Sequence, residues 1–288
     1  MWKRVLNAGA RNNTTEGIKQ RFDTFISSHK KIYFLGTKMI LTGDLHANCV
    51  GELEFLKPEY LISKFNDACK NTIIIILGDG GFLWANDRYS DFNGELIKTL
   101  ESYLEQLNSK IVVVPGNHEN YPRIYGLPKT SVQTELVQGD FRKISKNILY
   151  TERFGEYTIE GKSILVLGGA VSLDRYLRKE KEWFQDETFT LEEKETIISL
   201  IKDSEYDYVL SHTCPHAVLR QIFVDVWFRD NNSEFFDRVL NYIEPKAWFF
   251  GHLHPEKTEL GYNFGNFDDL KINNTIFKCF YKDIQGCV

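Results

Sequence analysis

The chain has 288 residues, 42% hydrophobic, 14% aromatic and 26% charged, with a net charge of -5. This is the composition of a folded globular protein, and its acidic balance argues against duplex nucleic acid held on a basic face. No apolar run approaches the roughly 18 residues a membrane helix needs, and five scattered cysteines without a C-x-x-C pair fit reduced thiols in the cytoplasm.

Residues 1–30 are polar, have no apolar stretch like that of a secretory leader, and carry one amphipathic segment from Thr15 to Ser28. They are expected to form a helical appendage to a main domain at 31–288. Within that domain "KMILTGD" (38–44) predicts a buried strand and "PEYLISKFNDACK" (58–70) a helix opening on Pro58. "TIIIILGD" (72–79) is the clearest strand in the chain, being β-branched, uncharged and stopped by Gly-Asp. A helix follows at 93–108 and a strand in "KIVVVPGNH" (110–118). Residues 147–170 predict short strands and turns ending in a buried strand at 164–168. A helix at 190–204, a strand at 206–212, a helix at 232–243, the strand "AWFFGH" and a last strand at 274–282 complete the order. Strands that are unbroken apolar runs, alternating with helices, imply a sheet covered on both faces.

Each buried strand runs into a polar cluster: Gly43-Asp44-Leu45-His46, Gly78-Asp79-Gly80, Gly116-Asn117-His118-Glu119, Ser211-His212 and Gly251-His252-Leu253-His254. Five of the seven histidines lie in these clusters, and His29 and His216 are left over. Ligands bind at the carboxyl ends of strands in open α/β sheets, so the clusters are expected to converge. Asp, His and Asn donors without paired cysteines suit manganese, iron, zinc or nickel. The donors are too many for one tetrahedral ion and about right for two ions sharing a carboxylate.

The series GDLHAN, GDGG, GNHE, SH and GHLH, in this order over residues 43–254, resembles the calcineurin-like metallophosphoesterase superfamily. The resemblance implies a four-layer α/β sandwich of two mixed β-sheets flanked by helices, with a dimetal site at the carboxyl ends of the strands. It implies one metal on Asp44, His46, Asp79 and His254 and a second on Asp79, Asn117, His212 and His252. Asp79 bridges the pair, Asn117 also meets the substrate, and His118 stands off the metals near the leaving group. Manganese is the ion expected first. Two ions about 3.5–4 Å apart hold a hydroxide and clamp an in-line displacement at phosphorus, and His118 then serves the departing oxygen as an acid.

The second motif departs from the family pattern. Phe82 stands where many relatives have a second Asp, and the arginine of the protein phosphatases is absent. His118 is left to another orienting partner, such as Asp87 or Asp91, or to none. "GGAVSLDRYLR" (168–178) resembles a bacterial and phage branch of the superfamily, and its Arg175 is a candidate phosphate ligand. Against that, Arg175 lies in a mixed-charge run of the kind that faces solvent. Phe82 and Trp84 read equally as pocket walls or core, His216 as a turn residue beyond the ligands, and Cys49 and Cys214 as structural. The expected activity is hydrolysis of phosphomonoesters or phosphodiesters, with a nucleotide among the candidate substrates. The alternative is an inactive relative that binds a partner. Specificity is expected from loops at 82–95, 119–135 and 170–190. Substrate identity and oligomeric state have no signal in the sequence.

Overall fold

The computed structural model describes residues 39–46, 70–83, 90–172, 175–177, 183–223, 229–253, 270–279 and 285–286. The expected appendage at 1–30, the expected helix at 58–70 apart from Lys70, which is in a turn, and Trp84, Asp87, Cys49 and His254 lie outside them.

Two sets of parallel strands form the walls. The first comprises β1 (Met39–Thr42), β2 (Ile73–Leu77), β3 (Lys110–Val114) and β6 (Ile148–Thr151), paired in that order. The second comprises β8 (Lys162–Leu167), β9 (Tyr208–Ser211), β10 (Ala247–Phe250) and β12 (Thr275–Cys279). β11 (Lys271–Ile272) and β13 (Gln285–Gly286) add antiparallel edges, β13 against β1. β7 (Phe154–Ile159) pairs antiparallel with β8.

Alternation along the strands shows how these walls stack. Met39, Leu41, Ile73, Ile75, Leu77, Val112 and Val114 of the first wall share one buried cluster with Ile164, Val166, Leu210 and Phe249 of the second. The alternate residues Ile40, Ile74, Ile76, Ile111 and Val113 turn the other way, onto Leu100, Leu104 and Leu107 of α1 (Ser90–Leu107). Leu165, Leu167, Val209, Trp248 and Phe250 likewise turn outward onto α3 (Leu191–Ile201), α4 (His216–Ile222) and α5 (Asn231–Val239). The period of two in a strand sends successive side chains to opposite faces. The result is the expected helix–sheet–sheet–helix sandwich, with each fully buried Ile or Leu contributing about 1.5–3 kcal/mol.

The two walls are joined in one hydrogen-bonded ladder through β5 (Val137–Lys143), which β4 (Lys129–Gln133) flanks. β5 pairs with β6 through Phe141, Arg142 and Lys143, and with β7 through Val137 and Gln138. Between the two pairings lies Gly139, with φ of 145° and with the Tyr157 ring 2.4 Å from where a Cβ would sit. The Tyr157 hydroxyl fills the split, accepting from Glu152 N at 2.8 Å and donating to Asp140 O at 3.0 Å.

The expected loop at 119–135 is therefore not a loop throughout. It holds α2 (Tyr121–Tyr125), started by an Asn120 cap and Pro122, as well as β4. β4 is half exposed and polar, so it lacks the apolar run that reveals the wall strands. The wall strands also end sooner than the sequence implies. Gly78 and Asp79 have φ of 87° and 51°, outside the strand region, so β2 stops at Leu77.

Candidate metal centre

The parallel register brings the polar clusters level. Thr42 lies beside Ile76 and Leu77 beside Val114, so the turns after β1, β2 and β3 leave the first wall along one edge. In the second wall Phe249 lies beside Leu210, and Gly251 N donates to His212 O at 2.9 Å. Cross-links then tie the turns together. Asp44 N donates to Gly78 O at 3.1 Å and His46 N to Asp79 O at 2.8 Å. His118 N donates to Asp79 Oδ1, and His252 N to Asp44 Oδ2, both at 2.8 Å.

Asp44, His46, Asp79 and His252 have φ of 53°, 45°, 51° and 70°. For side-chain-bearing residues this left-handed conformation costs about 1–2 kcal/mol each. Such strain collects at functional sites, where the surroundings force it. Two glycines make room. A Cβ on Gly78 would lie 2.0 Å from His212 Nδ1, and one on Gly116 would lie 2.2 Å from Asp79 Oδ1.

Asp79 is the hub, 1% exposed. Its Oδ2 lies 3.7 Å from His46 Nε2, and its Oδ1 lies 3.4 Å from His212 Nε2. Two donor groups share it: His46, Asp79 and His118 in one, Asp44, Asp79 and His212 in the other, with ligand atoms within 4.8 Å of one another in each. The partition differs in two respects from what the resemblance implies. Asp44, whose Oδ2 accepts His252 N–H, falls with His212, and His118 joins His46, their rings edge to face at 5.1 Å. His252 lies 4.9 Å from His212, ring to ring.

The donor chemistry fits a cation. Leu77 O can only accept, so the contact at 2.8 Å makes His212 Nδ1 the donor and leaves Nε2 as the ligand atom. Nε2 meets Asn117 Oδ1 at 2.8 Å, donating to it when the ring is protonated and offering a lone pair beside that oxygen when a cation takes the proton's place. Burial would push the His212 pKa down, but the carboxylates of Asp79 and Asp44 raise it to about 9. Burial also pushes Asp79 up, yet the imidazoles of His212, His118 and His46 prevail and hold it well below the usual carboxylate range. A pocket that draws positive charge onto a buried imidazole is one in which a divalent ion is stabilised by the same field.

Several buried groups hold the centre from behind, Glu119 of the GNHE cluster first among them. Glu119, 1% exposed, accepts from Gly80 N at 2.9 Å and from Tyr150 Oη at 2.8 Å, fixing the turn that carries Asp79. Burial first, then Asp79, raises the Glu119 pKa to about 8. Tyr121 Oη donates to Gly116 O at 2.8 Å and pins the turn before Asn117. Asn117 Nδ2 donates to Ser172 Oγ at 2.9 Å, which leaves Asn117 Oδ1 facing the centre. Glu119 stands in the GNHE cluster and Ser172 in GGAVSLDRYLR, whereas the sequence signal for Tyr121 is its position two residues beyond Glu119.

The remaining candidates lie further out. Arg175, in a short 3-10 turn at Arg175–Leu177, is exposed and hydrogen-bonded to Tyr176 Oη. Its backbone N–H reaches Ser172 O at 3.3 Å. Phe82 is fully buried among Ile76, Leu100 and Ile124, so it is core and not a pocket wall. His216 opens α4, and Cys214 is a free thiol buried in the second core.

A four-layer α/β sandwich with clustered Asp, His and Asn donors at one strand edge defines a metallohydrolase-like protein. The family model described as calcineurin-like phosphoesterase matches residues 37–256, and the chain belongs to that family. No curated protein matches the chain significantly. A crystal structure of phosphopantetheinyl hydrolase from Mycobacterium tuberculosis is similar at 13% identity and a TM-score of 0.45, over 86% of this chain and 92% of that one. A second crystal structure is similar at 13% identity and a TM-score of 0.49, over 84% and 89%. Among the described residues no helix is long and apolar enough to cross a membrane.

Proposed function

We propose that the protein is a metal-dependent phosphoesterase that hydrolyses phosphomonoesters or phosphodiesters, small nucleotides among them, at a centre built on Asp79. The observation that carries this reading is that the two oxygens of Asp79 face separate donor groups, His46 on one side and His212 on the other. We assign Asp44, His46, Asp79, Asn117, His212, His252 and His254 as metal ligands. Two divalent ions, manganese first, would supply an activated water and Lewis acidity at the phosphoryl oxygens.

The chain's own residues do the rest. Asp79 Oδ1 receives His118 N–H, which fixes the backbone of the turn, and the His118 ring lies edge to face with that of His46 at 5.1 Å. From there the imidazole can pass a proton to the departing oxygen. The Asn117 amide presents its oxygen to the centre, and Arg175 is assigned to a phosphoryl oxygen, its turn being tied to Ser172. A reduced, cytoplasmic setting belongs to the same reading and is supported by the free thiol of Cys214 in the core.

The test is hydrolysis of an aryl phosphate monoester and of the matching diester by manganese-loaded protein, beside Asp79→Asn. Turnover by the wild type and its loss in the variant is the expected result, and the monoester-to-diester ratio assigns the subclass. Two bound metals with no turnover of either ester would instead favour a partner-binding scaffold.

A further inference from the structure

The structure assigns a positioning role to Glu187 that the metal-site motifs do not contain: acting through Ser172, it fixes which face of the Asn117 amide meets the metal centre. This inference rests on the ligand assignment proposed above. Ser172 Oγ donates to Glu187 Oε2 at 2.6 Å, and Ser172 N donates to Oε1 at 2.9 Å. Trp183 Nε1 also donates to Oε1, at 2.8 Å. Glu187 and Ser172 are each 1% exposed. Among the described residues Oε1 takes two N–H donors and Oε2 takes the serine hydroxyl, so both oxygens accept, as in an ionised carboxylate.

That polarity has a consequence along the chain of bonds. With its proton committed to Glu187, Ser172 Oγ can only accept from the next residue, and it meets Asn117 Nδ2 at 2.9 Å. An amide whose nitrogen is held on one side must present its oxygen on the other, where His212 Nε2 lies at 2.8 Å. Glu187 therefore selects the amide orientation that can bind a cation, and its charge, two hydrogen bonds away, makes that oxygen a better donor. Groups that bond a ligand from behind tune metal affinity in this way.

Glu187 is itself built in, in the turn Gln185–Glu187. Its carbonyl accepts from Asn232 Nδ2 at 3.0 Å, and a Cβ on Gly169 would lie 2.3 Å from the same oxygen. The Arg153 guanidinium donates to the flanking carbonyls of Asp186 and Thr188. Three segments, around Arg153, Gly169 and Asn232, thus hold the turn that aims this carboxylate at Ser172.

In Glu187→Gln the new amide nitrogen donates to Ser172 Oγ. The serine proton is then free to turn to residue 117, and the nitrogen of Asn117 can swing to the metal side. Calorimetric titration of the metal-free full chain with manganese tests this. The wild type should bind two ions, and Glu187→Gln should weaken one of them about 10–100-fold with the other unchanged. In an Asn117→Ala background Glu187→Gln should add no further loss, because the two residues act through one path. A merely structural Glu187 would weaken both ions alike or add its loss to that of Asn117→Ala, and either result overturns the inference, as does unchanged binding of both. If the wild type fails to bind two ions, the metal-centre reading falls and the relay with it. Should Glu187→Gln not fold, Ser172→Ala carries the same expectation, since it removes the link between the two residues.

Discussion

A pair of glycine substitutions separates backbone strain from crowding at the centre. Gly78 has φ of 87° and Gly161, in the turn between β7 and β8, has φ of 70°. Alanine at either position adopts a left-handed conformation that costs about 1–2 kcal/mol, and the change in unfolded-chain entropy is common to both. The surroundings differ. A Cβ at Gly161 has nothing within 4 Å, whereas one at Gly78 would lie 2.0 Å from His212 Nδ1 and 2.4 Å from its Cγ. The ring cannot yield without giving up its bond to Leu77 O at 2.8 Å. Leaving that buried pair unmade costs about 1–3 kcal/mol more. Urea unfolding should therefore place Gly161→Ala about 1–2 kcal/mol below wild type and Gly78→Ala about 2–5 kcal/mol below. Manganese titration should show normal affinity in the first and a loss of at least roughly tenfold in the second. Equal stability losses with equal metal binding would show that His212 is not held where the structure has it.

Two further outcomes follow from packing and charge. Phe82→Ala should cost about 3–5 kcal/mol in urea unfolding, because the ring is fully buried in the first-wall core; a cost below about 1 kcal/mol would return Phe82 to the pocket wall. Glu193→Gln should flatten the acid limb of the stability curve. Burial alone would push the Glu193 pKa up, but the Thr190 backbone N–H and the Arg153 guanidinium lower it. A carboxyl depressed in the folded state stabilises above its unfolded pKa and loses that contribution as pH falls through the folded value. The Tm gap between wild type and variant should therefore be full near neutral pH and close in acid below the ordinary carboxylate range; a gap that widens in acid would reverse the assignment.

What the sequence made legible is what one-dimensional patterns encode. β2 is five consecutive apolar residues, all buried, and its reading followed from that run. The Asp and His clusters were legible because each follows such a strand, so strand register alone brings them to one edge. β4 and β5 were not, since the burial of β4 alternates between half exposed and exposed and β5 is a seam whose partners lie on both walls. Glu187 was equally silent. Its role depends on Arg153 and Asn232, which come from a turn and a helix 34 residues before and 45 residues after it and share no motif with it. Polar residues that act by holding other polar residues leave no periodic trace, because the contact is made in space.

The hydrogen bond from His252 N to Asp44 Oδ2 joins positions 208 residues apart. Closing so long a loop costs entropy that nothing local repays, so the contact draws on the strand pairings of each wall, which shorten the path between its ends. The centre is in this sense a product of the whole chain. A protein interrupted between Asp44 and His252 can own a well-packed wall and still lack every shared donor pair across the seam. Any cation that binds the closed arrangement and not the open one then acts by mass action on folding itself. Its supply sets what fraction of newly made chains is held in the finished state, before any substrate is met.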